Sequence, residues 1–437
     1  MSTGLRDPRS AIDADAIGAR IDAICAIGNR FVGTPGERRA RTHVHEQLER
    51  AGGLDVRLET VDTLAYVGGS ATCRLGDDGE TLAAVGLQGT AGGGAHGEAL
   101  YLGGPTSPEQ IAARVPGPHA LAGRIAVLHS EWPWAVAPWL AEQGVAGIVV
   151  ISQAPVGVVP NHVAKPYPAA RHPVADDGPL PVPGVLVEAS AGHRLLAALC
   201  AGALRLTLAH DARYVQEATA NVVAELPGAG DELLVVGAHY DTQREGVGAH
   251  DNATGLAALL EIARAWSGRR LRRSVRFVAF CDEESTLRGA EGYCRRHADE
   301  LDATVAMINL DALAWAHPGV RALLADDSIA DYAVARATEI GWAPERVDEA
   351  SALPAGDLVP FLDAGVPACW FWRFPPQHPY YHSAEDVPEL VDVRAVAEVA
   401  GVVAHVGLSI ADSDVRFGRS RPRTRWKDLR PAERATA

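Results

Sequence analysis

The chain has 437 residues, a formal net charge of −15 and 47% hydrophobic residues, which is more apolar material than one ordinary domain needs and points to two. Its basic character rests on arginine, since Lys165 and Lys427 are the only lysines, and so acidic a surface excludes general nucleic-acid binding. Six cysteines (Cys25, Cys73, Cys200, Cys281, Cys294, Cys369) are scattered without a C-x-x-C pair, which argues against a disulfide framework or a cysteine zinc site and suits buried, reduced thiols.

Residues 10–52 read as helical, with the turn Gly33-Thr34-Pro35-Gly36-Glu37 starting a helix that Gly52-Gly53 ends. The apolar stretch at 16–27 is broken by Arg20 and Asp22, so it reads as an amphipathic helix and not as a signal sequence. No uncharged run reaches the roughly 18–20 residues of a membrane span. No membrane is expected, and a reducing cytoplasm is the expected location. Residues 54–64 alternate like a strand. From Tyr66 the composition turns to glycine-rich short strands, with 123–128 and 147–151 as paired strands around a helix. A Pro- and His-rich loop at 155–183, a strand at 185–187 and a helix at 189–200 follow. This stretch, 66–212, carries no candidate ligand and reads as an inserted, smaller β-rich domain.

Strand–helix alternation resumes at Ala220: strands at 221–226 and 233–239, a helix at 254–266, a strand at 275–281, a helix at 290–298 and a strand at 305–311. Such alternation predicts an α/β fold with a mostly parallel central sheet and helices on both faces. A late aromatic strand, 369–374, and a closing helix, 393–410, complete a discontinuous domain of 1–65 and 213–412. The Arg- and Pro-rich tail 413–437 reads as disordered or as a packing arm.

Chemistry-bearing residues fall at the predicted strand ends or in the loops beside them, and the C-terminal edge of an open α/β sheet is where ligands bind. His239 ends a strand, and Asp241, two residues on, shares its face if the strand continues, so its carboxylate can orient the imidazole. The pair reads equally as a surface histidine beside a capping Asp. Asp251, at a helix start, is placed to bridge two metals about 3.5–4 Å apart, or is an ordinary N-cap. Of Glu283 and Glu284, one can ligate while the other moves a proton; a solvated acidic turn is the alternative. Asp311 closes a buried strand, where a lone carboxylate is costly. His382 follows the aromatic strand, with Tyr381 placed to donate to a developing oxyanion. Two histidines and three carboxylates, with one Glu spare, suit a two-metal hydrolytic site.

The ordered set His239-Tyr240-Asp241, Asp251-Asn252-Ala253-Thr254-Gly255, Glu283-Glu284-Ser285-Thr286-Leu287-Arg288-Gly289, Asn309-Leu310-Asp311 and Tyr381-His382 resembles the signature of the co-catalytic di-zinc aminopeptidases of peptidase clan MH. That family includes glutamate carboxypeptidase, the glutaminyl cyclases and the transferrin receptor. Arg30-Phe31-Val32-Gly33-Thr34-Pro35-Gly36 resembles its N-terminal turn, and 66–212 resembles a protease-associated domain. The resemblance implies that His239 and Asp311 bind one metal, Glu284 and His382 the other, and that Asp251 bridges. It implies Glu283 as general base and then acid, Asp241 as the group orienting His239, Tyr381 as a stabiliser of the tetrahedral intermediate, and a cis peptide at Asp251-Asn252. Gly356-Asp357-Leu358 stands where the family has Ser-Asp-His.

The first expectation is therefore a metal-dependent aminopeptidase acting on small peptides through a metal-activated water, with two divalent ions, zinc first, and Mn, Co or a single metal as variants. A second is a non-peptide amidohydrolase for a small amide, motivated by the aromatic run Trp370-Phe371-Trp372-Arg373-Phe374. A third is a binding protein that has lost catalysis, against which the intact set from His239 to His382 argues. A homo-oligomer is left open.

Overall fold

A computed structural model describes residues 8–130, 133–155, 157, 164, 178–315, 319–347, 356–374 and 379–419. Most of the Pro- and His-rich loop, and the tail from 420 on, lie outside the described residues. The chain divides into two units, one of Met1–Thr63, Ala218–His378 and Asp386–Ala437, the other of Leu64–Glu217 with Pro379–Glu385. The borders read from composition, 66 and 212, lie a few residues inside the second unit's long stretch. The segment Pro379–Glu385, assigned from sequence to the first unit, groups with the second.

In the first unit two helices precede the sheet, α1 (Ala14–Cys25) and α2 (Pro35–Ala51). The turn before α2 is built as its residues dictate. Thr34 caps the helix by accepting from Glu37 N at 3.1 Å, with proline at the first helical position. Gly36 admits no side chain, because a Cβ there would meet Asn29 O at 1.8 Å.

Eight strands form the sheet: β1 (Asp55–Val67), β2 (Arg213–Leu226), β3 (Leu233–His239), β4 (Ser274–Phe280), β5 (Thr304–Asn309), β6 (Val320–Ala325), β7 (Glu345–Val347) and β8 (Ala368–Phe374). Their order is β1-β2-β4-β3-β5-β8-β6-β7. The central pairs β4–β3, β3–β5 and β5–β8 are parallel, while β2–β4 and β6–β8 are antiparallel. All seven residues of β3 are buried, the uninterrupted apolar pattern of a strand covered on both faces. Register aligns the C-terminal ends of three strands, with His239 opposite Phe280 and Gly237 opposite Asn309.

Behind the sheet lie α3 (Thr254–Trp266), α5 (Asp327–Glu339) and α7 (Val393–Ala411), sharing one core with α1 and α2; α4 (Arg288–Arg296) and α6 (Leu358–Asp363) complete the set used below. By length and composition α7 could cross a membrane, yet 67% of its apolar window is buried inside the protein. Nothing in the sequence pattern had marked β6, α5, β7 or α6, which fill the span between Asp311 and the aromatic strand.

The second unit holds a closed seven-stranded barrel, in the order Ser70–Leu75, Thr81–Gly86, Gly184–Val187, Gly147–Ile151, Ile125–His129, Gly93–Gly103, Arg205–His210. Gly147–Ile151 and Gly184–Val187 are buried throughout; Cys73, Leu82, Val127, Val149, Val185, Leu206 and Leu208 fill the barrel, and closure removes free sheet edges.

Candidate metal centre

The loops after β3, β4 and β5 each deliver an acid to one place. His239 Nε2 lies 3.1 Å from Asp251 Oδ1, 3.3 Å from Asp311 Oδ1 and 3.9 Å from Glu283 Oε2. Glu284 joins His239 and Asp251, so two triads share one imidazole: His239, Glu283 and Asp311, and His239, Asp251 and Glu284. In each triad the donor atoms lie within 4.8 Å of one another, and every member is buried.

The backbone explains the convergence. Between Asp251 and α3 the chain turns through a cis Asp251-Asn252 bond. The Asn252 side chain accepts from Gly255 N at 2.8 Å, starting α3, and donates to Leu310 O at 2.9 Å. That one amide ties the Asp251 turn to the residue before Asp311. Gly255 permits the approach, since a Cβ there would meet Leu310 O at 2.1 Å.

Asp241 faces His239 and also holds a second segment. Its Oδ1 is 3.6 Å from His239 Nδ1. Its two oxygens also accept from the backbone N–H groups of Glu283 and Glu284, each at 3.2 Å. It thereby holds the turn of the glutamate pair.

Three further residues were not singled out as site residues in the sequence. Gln243 donates to Glu284 from its backbone N and its side chain. Asp386 accepts from His250 N at 2.8 Å and Asp251 N at 3.0 Å; burial pushes its carboxyl up to about 7 against those two bonds. Arg30 is fully buried and donates to three main-chain carbonyls: Tyr240 at 2.9 Å, Val247 at 2.6 Å and Gly248 at 3.2 Å. It pins both ends of the loop between Asp241 and Asp251. No local pattern announces these partners, because each spans more than forty residues or lies in a loop of ordinary composition. Arg30→Met would strip a donor from three carbonyls, and a buried acceptor left unsatisfied costs about 1–3 kcal/mol. A thermal melt of the metal-free variant is expected to fall by several degrees; an unchanged melt would remove Arg30 from this role.

Tyr381 and His382 lie in the second unit's segment Pro379–Glu385. Their rings stack at 3.8 Å, and His382 has a φ of 60°.

The electrostatics ask for a cation. Burial holds Glu283 well above the usual carboxylate range; His239 opposes that shift and Asp311 adds to it. Glu284 is raised by burial and then by Asp251 and Glu283. For His239, burial lowers proton affinity, but the charges of Glu283 and Asp311 with the carboxylates of Asp241 and Asp251 outweigh it and raise it well above the usual value. The fully buried Asp357, raised by burial, has no hydrogen-bond partner on either oxygen among the described residues. Burying so many carboxylates around one imidazole is costly unless a metal completes the charge, and imidazole with carboxylate oxygens is a donor set for Zn, Mn or Co. The residues present fit the group.

Residues 221–407 match the family model described as Peptidase family M28. The matched stretch carries His239, Asp251, Glu283, Glu284, Asp311 and His382. The chain is similar to Aminopeptidase YwaD of Bacillus subtilis (strain 168), 29% identical over 185 residues, covering 39% of this chain and 40% of that protein. A longer match, 25% identical over 338 residues, covers 74% of this chain and 63% of the Probable lipoprotein aminopeptidase LpqL of Mycobacterium tuberculosis (strain ATCC 25618 / H37Rv). These matches span less than two thirds of each relative. The Aminopeptidase from Aneurinibacillus sp. strain AM-1 has the same fold, with a TM-score of 0.73 at 21% identity over 96% of this chain and 99% of that one. The mixed α/β fold is that of known M28 structures.

Proposed function

We propose that the chain is a metal-dependent aminopeptidase that removes N-terminal residues from small peptides and carries two divalent ions, zinc first. The observation that carries this reading is the pair of buried triads sharing His239. The relatives named above, aminopeptidases by description, support it.

In this reading His239 and Asp311 would hold one ion and Glu284 the other, with Asp251 available to both. When bound, the metals polarise the scissile carbonyl and lower the pKa of water. The chain's own residues do the rest. Glu283 takes the proton of the attacking water and returns it to the leaving amine. Its burial keeps its proton affinity up, as a group that must both accept and donate requires. Asp241 fixes the backbone of both glutamates. Six unpaired thiols support a reducing cytoplasm as the place of action.

A panel of aminoacyl anilides, each with a free and an acetyl-blocked amine, tests the reading after Zn, Co or Mn is added to the metal-free protein. Cleavage of the free-amine series alone is the expected result. No cleavage by protein with metal demonstrably bound overturns it in favour of a non-peptide amidohydrolase.

One feature favours an aromatic substrate under either reading. Phe371 packs in the core, while Trp370 and Trp372 emerge half-buried on the opposite face with ring centroids 4.7 Å apart. Trp370 Nε1 donates to Asp311 O at 2.6 Å, so this aromatic pair adjoins a proposed ligand. An aromatic contact is worth about 0.5–1.5 kcal/mol beyond its area. Trp372→Ala is therefore expected to lower kcat/KM for a phenylalanyl anilide by roughly threefold to tenfold and to leave the alanyl anilide unchanged. Equal losses on both would show that the pair does not meet the substrate.

A further inference from the structure

We infer that Gln243 is a positioning residue that sets the geometry of Glu284 and thereby the affinity of one metal position over the other. This rests on the reading of Glu284 as a ligand. Two of the three bonds involved come from a single side-chain amide. Gln243 N donates to Glu284 Oε1 at 2.9 Å. Gln243 Nε2 donates to Glu284 Oε2 at 3.0 Å and to the main-chain Glu284 O at 3.1 Å. The amide orientation is forced, because the reverse assignment would set an oxygen against two oxygens. Gln243 Oε1, on the other end, is buried with no hydrogen-bond partner among the described residues, while the N–H groups stay on Glu284.

The consequence follows from torsional freedom. The last torsion of a glutamate is broad and roughly two-fold, so an unclamped carboxylate presents its lone pairs over a wide arc. With one oxygen held by a main-chain N–H and the other by the Nε2 amide, that torsion is fixed. The bond from Gln243 N survives any substitution at the position; the bonds from Nε2 do not. Asp311 and Glu283 make no bond to Gln243 among the described residues, so the effect is confined to the Glu284 position. Partners that orient a metal ligand in this way typically change affinity by about 10–100-fold.

The experiment is a zinc titration of metal-free wild type and Gln243→Met, with cobalt absorption as the spectroscopic readout and a thermal melt of both proteins before metal is added. Methionine keeps the length of the side chain and removes its donor. The expected result is two equivalents in both proteins, with the metal-free melt lowered by no more than the few degrees that the lost side-chain donor costs. One equivalent should bind about 10–100-fold more weakly in the variant, with the cobalt spectrum altered for that equivalent alone. Equal affinities and spectra in the two proteins overturn the inference. So does weakening of both equivalents together with a larger fall in the metal-free melt, which is the mark of a purely structural role. Wild type that binds no metal at all overturns the ligand reading itself, and the inference with it. Wild type that binds one equivalent, weakened in the variant, keeps the inference and overturns only the two-ion count.

Discussion

Glu283→Gln is expected to keep its metal and lose nearly all turnover, with kcat down by roughly a thousandfold, within the range general acid–base groups contribute. Glutamine preserves the shape and burial of the side chain but cannot take a proton at neutral pH. Glu283 Oε2 is 3.9 Å from His239 Nε2, farther than the oxygens of Asp251 and Asp311, and its main-chain N–H is fixed by Asp241. It is held at the edge of the cluster, where a proton carrier belongs. Yet its carboxylate also falls into one of the two ligand triads, so metal content must be measured beside kcat. Loss of metal together with activity would move Glu283 to the ligand set. Retention of activity would remove it from the mechanism altogether.

Most of this cluster was legible in the sequence because each member is tied to a strand end by a short motif. An apolar run such as 233–239 marks its own C-terminal edge, and the residue there is at the ligand-binding edge by topology. The reading was incomplete where geometry depends on what happens after the strand. Asp241 lies beside His239, at 3.6 Å, but the same carboxylate also accepts from the N–H groups of Glu283 and Glu284, which strand periodicity does not encode. Gln243, Asp386 and Arg30 act through bonds between residues far apart in sequence, which no local pattern encodes. The elements between Asp311 and the aromatic strand were missed for another reason. β7 has only three residues, and the helix at Asp327–Glu339 is an alanine-rich mix of small and polar residues with only Ile329, Ala330, Ala333 and Ala337 buried, too weak a stripe to stand out.

Removing the metal is expected to destabilise the protein more at pH 8 than at pH 5.5. In the metal-free state Glu283 and Glu284 hold protons well above their usual value of 4.5, and Asp386 up to about 7 from 3.8. A carboxyl whose folded pKa is raised contributes stability that is fully present below its unfolded pKa and is lost as pH rises through the folded value. The folded chain then binds more protons than the unfolded one, and the slope of stability against pH is negative. From about pH 4.5 upward the metal-free cluster therefore weakens the fold. Metal binding runs the other way, because it needs deprotonated ligands and tightens as pH rises. Both trends widen the gap between the two states. At a free metal concentration a thousand times Kd, one site adds about 4 kcal/mol. With about 2–4 °C per kcal/mol for a large domain, chelation at pH 8 should lower the melting temperature by on the order of 10 °C. The drop at pH 5.5 should be smaller. A drop that is the same at both pH values would mean that the ligands are not these buried carboxylates. No drop, with metal removal verified, would mean that the cluster balances its charge without a cation.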